Sequence, residues 1–135
     1  MPEPEQVTRV KDVMRKDVVT IDGTATIIDA LHLMTENSIK SLVITPHSET
    51  DAYGIVTFTD IAKKIVASDE RIEMLNVFDI MTKPCIAVRG NLNIRYAVKL
   101  LTDLNISRAI VVDGDILKGI VSLSDIIKML TKGIK

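Results

Sequence analysis

Apolar positions along this chain change their period in a fixed order. Ile27, Ala30, Leu31 and Met34 are spaced i, i+3, i+4, i+7, which predicts an amphipathic helix ending near Asn37-Ser38. Before it, Val10, Val13 and Met14 form a short apolar ridge at helical spacing, followed by Arg15-Lys16-Asp17. Val18 to Ile21 reads as a short strand, and Asp22-Gly23-Thr24 supplies turn chemistry and an N-cap. Ser41 to Thr45 is a second strand, Pro46 to Asp51 a polar loop, and Tyr53 to Val56 the returning strand. A helix from about Phe58 to Ser68 then carries Ile61 and Ile65 on one face. The charged stretch Ser68 to Arg71 closes the first half.

The second half repeats that order. Asp79-Ile80-Met81-Thr82-Lys83 matches Asp12-Val13-Met14-Arg15-Lys16, an offset of 67 residues. At the same offset Gly23 pairs with Gly90, Ile27 with Ile94, Ala30 with Ala97 and Ile39 with Ile106. Ile94, Ala97, Val98 and Leu101 reproduce the helical spacing, Ala109 to Val112 is the strand, and Asp113-Gly114-Asp115 a tight hairpin turn. The longer first hairpin absorbs two residues, so from Gly54 and Gly119 onward the offset is 65. One supersecondary unit is therefore present twice, and each copy has an apolar face that the other can bury.

The best-matched stretches are Gly54-Ile55-Val56-Thr57-Phe58-Thr59-Asp60-Ile61 and Gly119-Ile120-Val121-Ser122-Leu123-Ser124-Asp125-Ile126. Gly-Ile-Val fits the end of a buried strand, and the apolar positions after the Asp fit a helix. The hydroxyls and the carboxylate thus sit where a strand turns into a helix. Backbone N–H groups without internal partners point outward there, and the helix dipole favours an anion. Two hydroxyls and a carboxylate at that point suit a sugar diol and a phosphate together. Thr57-x-x-Asp60 and Ser122-x-x-Asp125 are also capping boxes, which need no ligand. A cap alone does not require the second hydroxyl, at Thr59 and Ser124.

Composition narrows the classes. The 135 residues are 47% hydrophobic and 26% charged, which describes a folded globular chain and not a disordered one. A net charge of −1 gives no bulk attraction to nucleic acid or anionic membrane. The one cysteine, Cys85, rules out an internal disulfide and reads as a structural thiol in a strand, compatible with a reducing cytoplasm. No apolar run approaches the ~18 residues of a membrane span. The opening Met1-Pro2-Glu3-Pro4-Glu5-Gln6 lacks the basic and apolar regions of a signal peptide and reads as a frayed tail.

A β-α-β-β-α unit of about 60 residues that ends Gly-h-h-Ser/Thr-x-x-Asp resembles the cystathionine-β-synthase (CBS) domain. Two in tandem resemble the Bateman module, here stand-alone, and the likeness runs from about Val10 to Leu130. It implies an α/β (α+β) fold in which two repeats pack by pseudo-twofold symmetry, sheets in contact and helices outside. The corresponding division is a flexible tail over 1–9, repeat 1 over 10–70 and repeat 2 over 71–135. It also implies a homodimer, in the form of a flat four-repeat disk.

In members that bind adenosyl ligands the closing Asp accepts hydrogen bonds from the ribose hydroxyls. The resemblance carries that role to Asp60 in one cleft and Asp125 in the other. Thr57 and Thr59, or Ser122 and Ser124, would line ribose and phosphate. Arg108 opens the middle strand of the second repeat, after Ser107; the first repeat has Lys40 followed by Ser41. Arg presents a planar fork of donors to phosphate and Lys a flexible point charge, so the Asp125 cleft is expected to hold phosphate better. Adenine would rest on side chains and backbone lent by the other repeat: Met14, Val19, Ile39 and Lys40 in the Asp125 cleft, and Met81, Ile86, Ile106 and Ser107 in the Asp60 cleft. The same apolar positions also read as plain core. The chain departs from the family pattern in having Val43 and Ile110 where many members place Pro, and Asp17 where the second repeat has Pro84.

No catalytic constellation stands out: His32 and His47 have no cysteine or acid at ligand spacing, and there is no P-loop or Gly-x-Gly-x-x-Gly. The reading is a non-enzymatic regulatory or sensor module for an adenosine-containing ligand (AMP, ADP, ATP or S-adenosylmethionine), acting on an effector protein that the sequence does not identify. No cofactor is expected beyond that nucleotide. One alternative is a ligand-free structural dimerisation module. Another, a DNA- or RNA-binding protein, is opposed by the net charge and by only 3% aromatic residues for base stacking.

Overall fold

A computed structural model of the protein describes residues 7–132; the acidic opening segment lies outside them. These residues form two compact units. One spans Val19–Cys85, and the other joins the segment up to Val18 to the chain from Ile86 onward. Each is built on a three-stranded sheet in sequential strand order.

In the Val19–Cys85 unit, β1 (Thr20–Ile21) lies parallel to β2 (Ser41–Ile44), with α2 (Ile27–Asn37) making the crossover. β3 (Gly54–Thr57) returns antiparallel, with Ser41 opposite Thr57 and Ile44 opposite Gly54. The α2 periodicity puts Ile27, Ala30 and Met34 into a core with Ile21, Leu42, Ile44, Val56 and Ile61. Fully burying an aliphatic side chain of this size contributes about 1.5–3 kcal/mol. α2 stops at Ser38, whose φ of 54° is a left-handed C-cap. Its N-cap is Thr26, whose side chain accepts from the Asp29 N–H. The cap expected at Asp22-Gly23-Thr24 is instead a local Asx turn: Asp22 Oδ1 accepts at 2.8 Å from both the N–H and the hydroxyl of Thr24. The helix after β3 does reach Ser68, but only Phe58–Ala62 (α3) is α-helical, and Lys63–Ala67 widens into a π-turn.

The second unit repeats the plan. β4 (Ala87–Val88) is parallel to β5 (Arg108–Asp113) across α4 (Ile94–Asp103), and β6 (Ile116–Ser122) returns antiparallel before α5 (Leu123–Thr131). Ile94, Ala97, Leu101, Val111, Val121 and Ile126 form its core. The hairpin turn is Gly114-Asp115, with Gly114 at φ +61°, a conformation that favours glycine at the first turn position. Cys85 lies before β4 and not in a strand, with its N–H on the Tyr53 carbonyl (3.0 Å).

Each core also takes in a segment that lies before the other repeat in sequence. α1 (Val10–Val13) places the fully buried Val10 in the core of the second unit, where Val10 N–H meets the Leu92 carbonyl and Lys11 N–H that of Gly90. Val77, 67 residues later, is fully buried in the first unit; its N–H meets Ala25, and Phe78 N–H meets Gly23. Thr8 and Arg9, read from sequence as tail, are also tied down: Thr8 accepts from the Ile94 N–H, and Arg9 bridges to Asn93.

Candidate functional site

The strand-to-helix turn of each unit is built from local chemistry. In the first, Thr57 ends β3 and caps α3, with its Oγ1 accepting from the Asp60 N–H at 3.0 Å. The Asp60 carboxylate folds back to accept from the Thr57 N–H at 3.2 Å, which closes the box. In the second, buried Ser122 ends β6 and caps the nine-residue α5, with Oγ accepting from the Asp125 N–H at 3.0 Å. Here the return bond is missing. Among the described residues the half-buried Asp125 carboxylate accepts no hydrogen bond and joins no ion pair.

The capping reading is thus satisfied in both turns, but only at Asp60 does it engage a carboxylate oxygen. A hydroxyl that accepts from an N–H keeps its own O–H to donate, so Thr57 and Ser122 still have a donor. Thr59 and Ser124 are exposed, and their hydroxyls make no hydrogen bond among the described residues. Register brings half-buried Arg108 directly opposite Ser122, on the same face of an antiparallel pair, where Cβ atoms are about 5 Å apart. The equivalent partner of Thr57 is neutral Ser41. Cation, N-cap and open carboxylate therefore coincide only in the second unit.

The remaining predicted residues fall into two groups. Met14, Ile86, Ile106 and Ser107 share a unit with Asp125; Val19, Ile39, Lys40 and Met81 share one with Asp60. Ile39, Val19 and Met81 pack on the first core, and Ile86, Ile106 and Met14 on the second, as the plain-core reading requires. Lys40 and Ser107 are exposed, and their carbonyls accept from Phe58 and Leu123, fixing the start of the helix in each turn.

Sequence reading missed what lies across the glycine of each Gly-Ile-Val. Arg15 exchanges both backbone hydrogen bonds with Ile120, at 2.8 and 3.0 Å, and Thr82 does the same with Ile55. A Cβ on Gly119 would lie 2.5 Å from the Arg15 carbonyl oxygen and 2.9 Å from Met14 Sδ. On Gly54 it would lie 3.2 Å from the Thr82 oxygen. The signal was present in the matched glycines and in the 67-residue offset of Met14 and Met81.

Elsewhere, Asp51 receives Lys83 Nζ at 2.8 Å on both oxygens and the His47 N–H on one, which holds its carboxyl well below the usual range. Burial pushes the Cys85 thiol up to about 11. Both histidines are exposed, and among the described residues no cluster of three or more His, Cys, Asp and Glu could hold a metal ion. No helix among them is long and apolar enough to cross a membrane.

Comparison with known proteins identifies the family and the fold. The family model described as CBS domain matches residues 10–67 and 77–132. A Methanopyrus kandleri protein is 34% identical over 121 residues, covering 89% of this chain and 61% of its own length. A homoserine O-acetyltransferase of Methanobrevibacter ruminantium is 31% identical over 123 residues, which are 90% of this chain but 24% of that enzyme. The chain thus spans less than two thirds of these relatives. Among solved structures, a hexameric CBS-CP12 protein from bloom-forming cyanobacteria superposes with a TM-score of 0.86 at 41% identity, over 90% of this chain and 70% of that one. The CBS domain pair of protein MJ0100, in complex with 5′-methylthioadenosine and S-adenosyl-L-methionine, superposes with a TM-score of 0.80 at 26% identity, over 94% and 98%. With two matched copies covering most of its length, the chain belongs to the CBS domain family and carries a CBS pair.

Proposed function

We propose that the CBS pair is a non-enzymatic regulatory module that binds an adenosine-containing ligand at the Ser122–Asp125 turn. The observation that carries this reading is the open Asp125 carboxylate, half-buried at the third position of α5, whose N-cap Ser122 is in register with Arg108. A carboxylate with free lone pairs accepts from both hydroxyls of a ribose, and the guanidinium and the positive end of α5 suit a phosphate. The likeness to a pair solved with 5′-methylthioadenosine and S-adenosyl-L-methionine supports an adenosyl ligand. Arg108 favours a phosphorylated one: AMP, ADP or ATP. The Asp60 turn, with its carboxylate in its own capping box and Ser41 in place of arginine, fits the structural reading and binds weakly. Ligand acts by shifting population between conformations that an effector protein or a second copy distinguishes.

The test is a thermal-shift panel of AMP, ADP, ATP, S-adenosylmethionine and NAD against wild type, Asp60→Ala and Asp125→Ala. Ligand at 100 times its Kd adds about 2.7 kcal/mol, a shift of several degrees at this chain length. A shift lost in Asp125→Ala and kept in Asp60→Ala supports the proposal. No shift with any ligand leaves the structural dimerisation module as the function.

A further inference from the structure

A second polar site lies at the other end of the same sheet. Arg108 and Ser122 stand at one end of β5 and β6, and Asp113 at the other, roughly 16 Å away at ~3.3 Å per residue. Beside Asp113 is a groove of about 690 Å³ lined by Lys11, Lys16, Lys118, Asn91, Asp12 and Asp113. Its three lysines come from two backbone segments, Lys11 and Lys16 from the stretch before Val18 and Lys118 from β6. Lys11 N–H bonds the carbonyl of buried Gly90 at 2.9 Å, and a Cβ on Gly90 would meet Lys11 Cβ at 3.4 Å. Lys16 follows Arg15, whose two bonds to Ile120 pin that segment along β6. Lys118 is the extra residue of a β-bulge: Val111 pairs with Gly119 and Val112 with Leu117, so Lys118 has no partner in the ladder. Bulges re-aim side chains, often beside binding sites.

Among the described residues none of the three ammonium groups is in an ion pair or a hydrogen bond. Of the two carboxylates, Asp12 already accepts from the Arg9 N–H at 2.8 Å. The groove therefore sets three lysines that form no ion pair against the two carboxylates of Asp12 and Asp113, an excess of one positive charge on a concave face of a chain whose net charge is −1. Converging cations in a concavity focus a field that captures anions. Its volume exceeds a single phosphate, and its lysines are spread over two segments.

We propose that this groove is a binding site for a linear oligophosphate, separate from the Asp125 turn. The probe is inorganic tripolyphosphate, titrated into the full isotope-labelled chain and followed by amide chemical shifts, with pyrophosphate and orthophosphate alongside. The expected result is saturable perturbation centred on Lys11, Gly90, Asn91 and Lys118, with affinity falling from tripolyphosphate to orthophosphate. The triple variant Lys11→Gln/Lys16→Gln/Lys118→Gln should lose at least tenfold in affinity. Arg108→Gln, Asp125→Ala and the surface control Lys63→Gln/Lys128→Gln should retain it. Shifts confined to Arg108 and Ser122–Asp125, an equal loss in the surface control, or no saturable response would each overturn the proposal.

Discussion

Gly119→Ala tests whether the segment before the first repeat is built into the second unit. The new methyl would sit 2.5 Å from the Arg15 carbonyl oxygen and 2.9 and 3.2 Å from Met14 Sδ and Cγ. Contacts below 3 Å must be relieved by movement. Met14 can rotate, but the Arg15 oxygen is fixed by the hydrogen bond it receives from Ile120 at 3.0 Å. Overpacking of this kind costs about 1–3 kcal/mol, and the backbone contact puts Gly119 toward the top of that range. Gly119 does not have a positive φ, so alanine also gains about 0.4–1 kcal/mol from a less flexible unfolded chain. The net expectation is a loss of about 2 kcal/mol. For an m-value of about 1.5 kcal/mol/M in urea this lowers the midpoint by about 1.3 M. Gly54→Ala is the control: its nearest contacts, 3.2 Å to the Thr82 oxygen and 3.4 Å to Ile44 and Lys83, relax by tenths of an ångström. Its loss should be at most about 1 kcal/mol. Adding Met14→Ala to Gly119→Ala should not restore stability, because the carbonyl clash remains. Equal midpoints for the two glycine variants would refute the argument that the Arg15 segment lies across β6.

Three further outcomes follow from particular contacts. Asp60→Ala removes the acceptor for the Thr57 N–H and should cost about 0.5–1 kcal/mol more in urea unfolding than Asp125→Ala, which removes no hydrogen bond; equal losses would mean that Asp125 is also a closed cap. Asp51, held by Lys83 and the His47 N–H, titrates below its unfolded value of 3.8, so its contribution is present above about pH 4 and is lost as pH falls through the lower folded value. The stability gap between wild type and Asp51→Asn should therefore shrink from pH 7 to pH 3, and a constant gap would contradict the ion pair. The Cys85 thiol, raised to about 11 by burial, should react with iodoacetamide at pH 8 far more slowly in the native chain than in urea; equal rates would mean that the thiol is not buried.

Much of this fold was legible because it is local. The α2 and α4 spacings, the left-handed stop at Ser38 and the Gly114 turn each depend on a few adjacent residues, and they appear where the pattern places them. The 67-residue offset even reappears as matched hydrogen bonds, Val10 to Leu92 and Val77 to Ala25. The errors also have local causes. Asp22 and Thr24 use their polar atoms on each other, so the helix takes the next hydroxyl, Thr26, as its cap. The packing of 7–18 with the second unit was not legible, since it rests on contacts more than 70 residues apart. The candidate turn was half legible. Residue types showed a cap or a site at both Asp60 and Asp125, whereas the difference between them lies in whether one carboxylate turns back by a few ångströms.

The most direct test of the account is calorimetric titration of AMP and adenosine into wild type, Asp60→Ala, Asp125→Ala and Arg108→Gln. Binding should be abolished by Asp125→Ala and preserved by Asp60→Ala. Arg108→Gln should weaken AMP at least tenfold while barely changing adenosine. Binding that survives Asp125→Ala, or that Asp60→Ala removes instead, would contradict the assignment of the ligand to the Ser122–Asp125 turn.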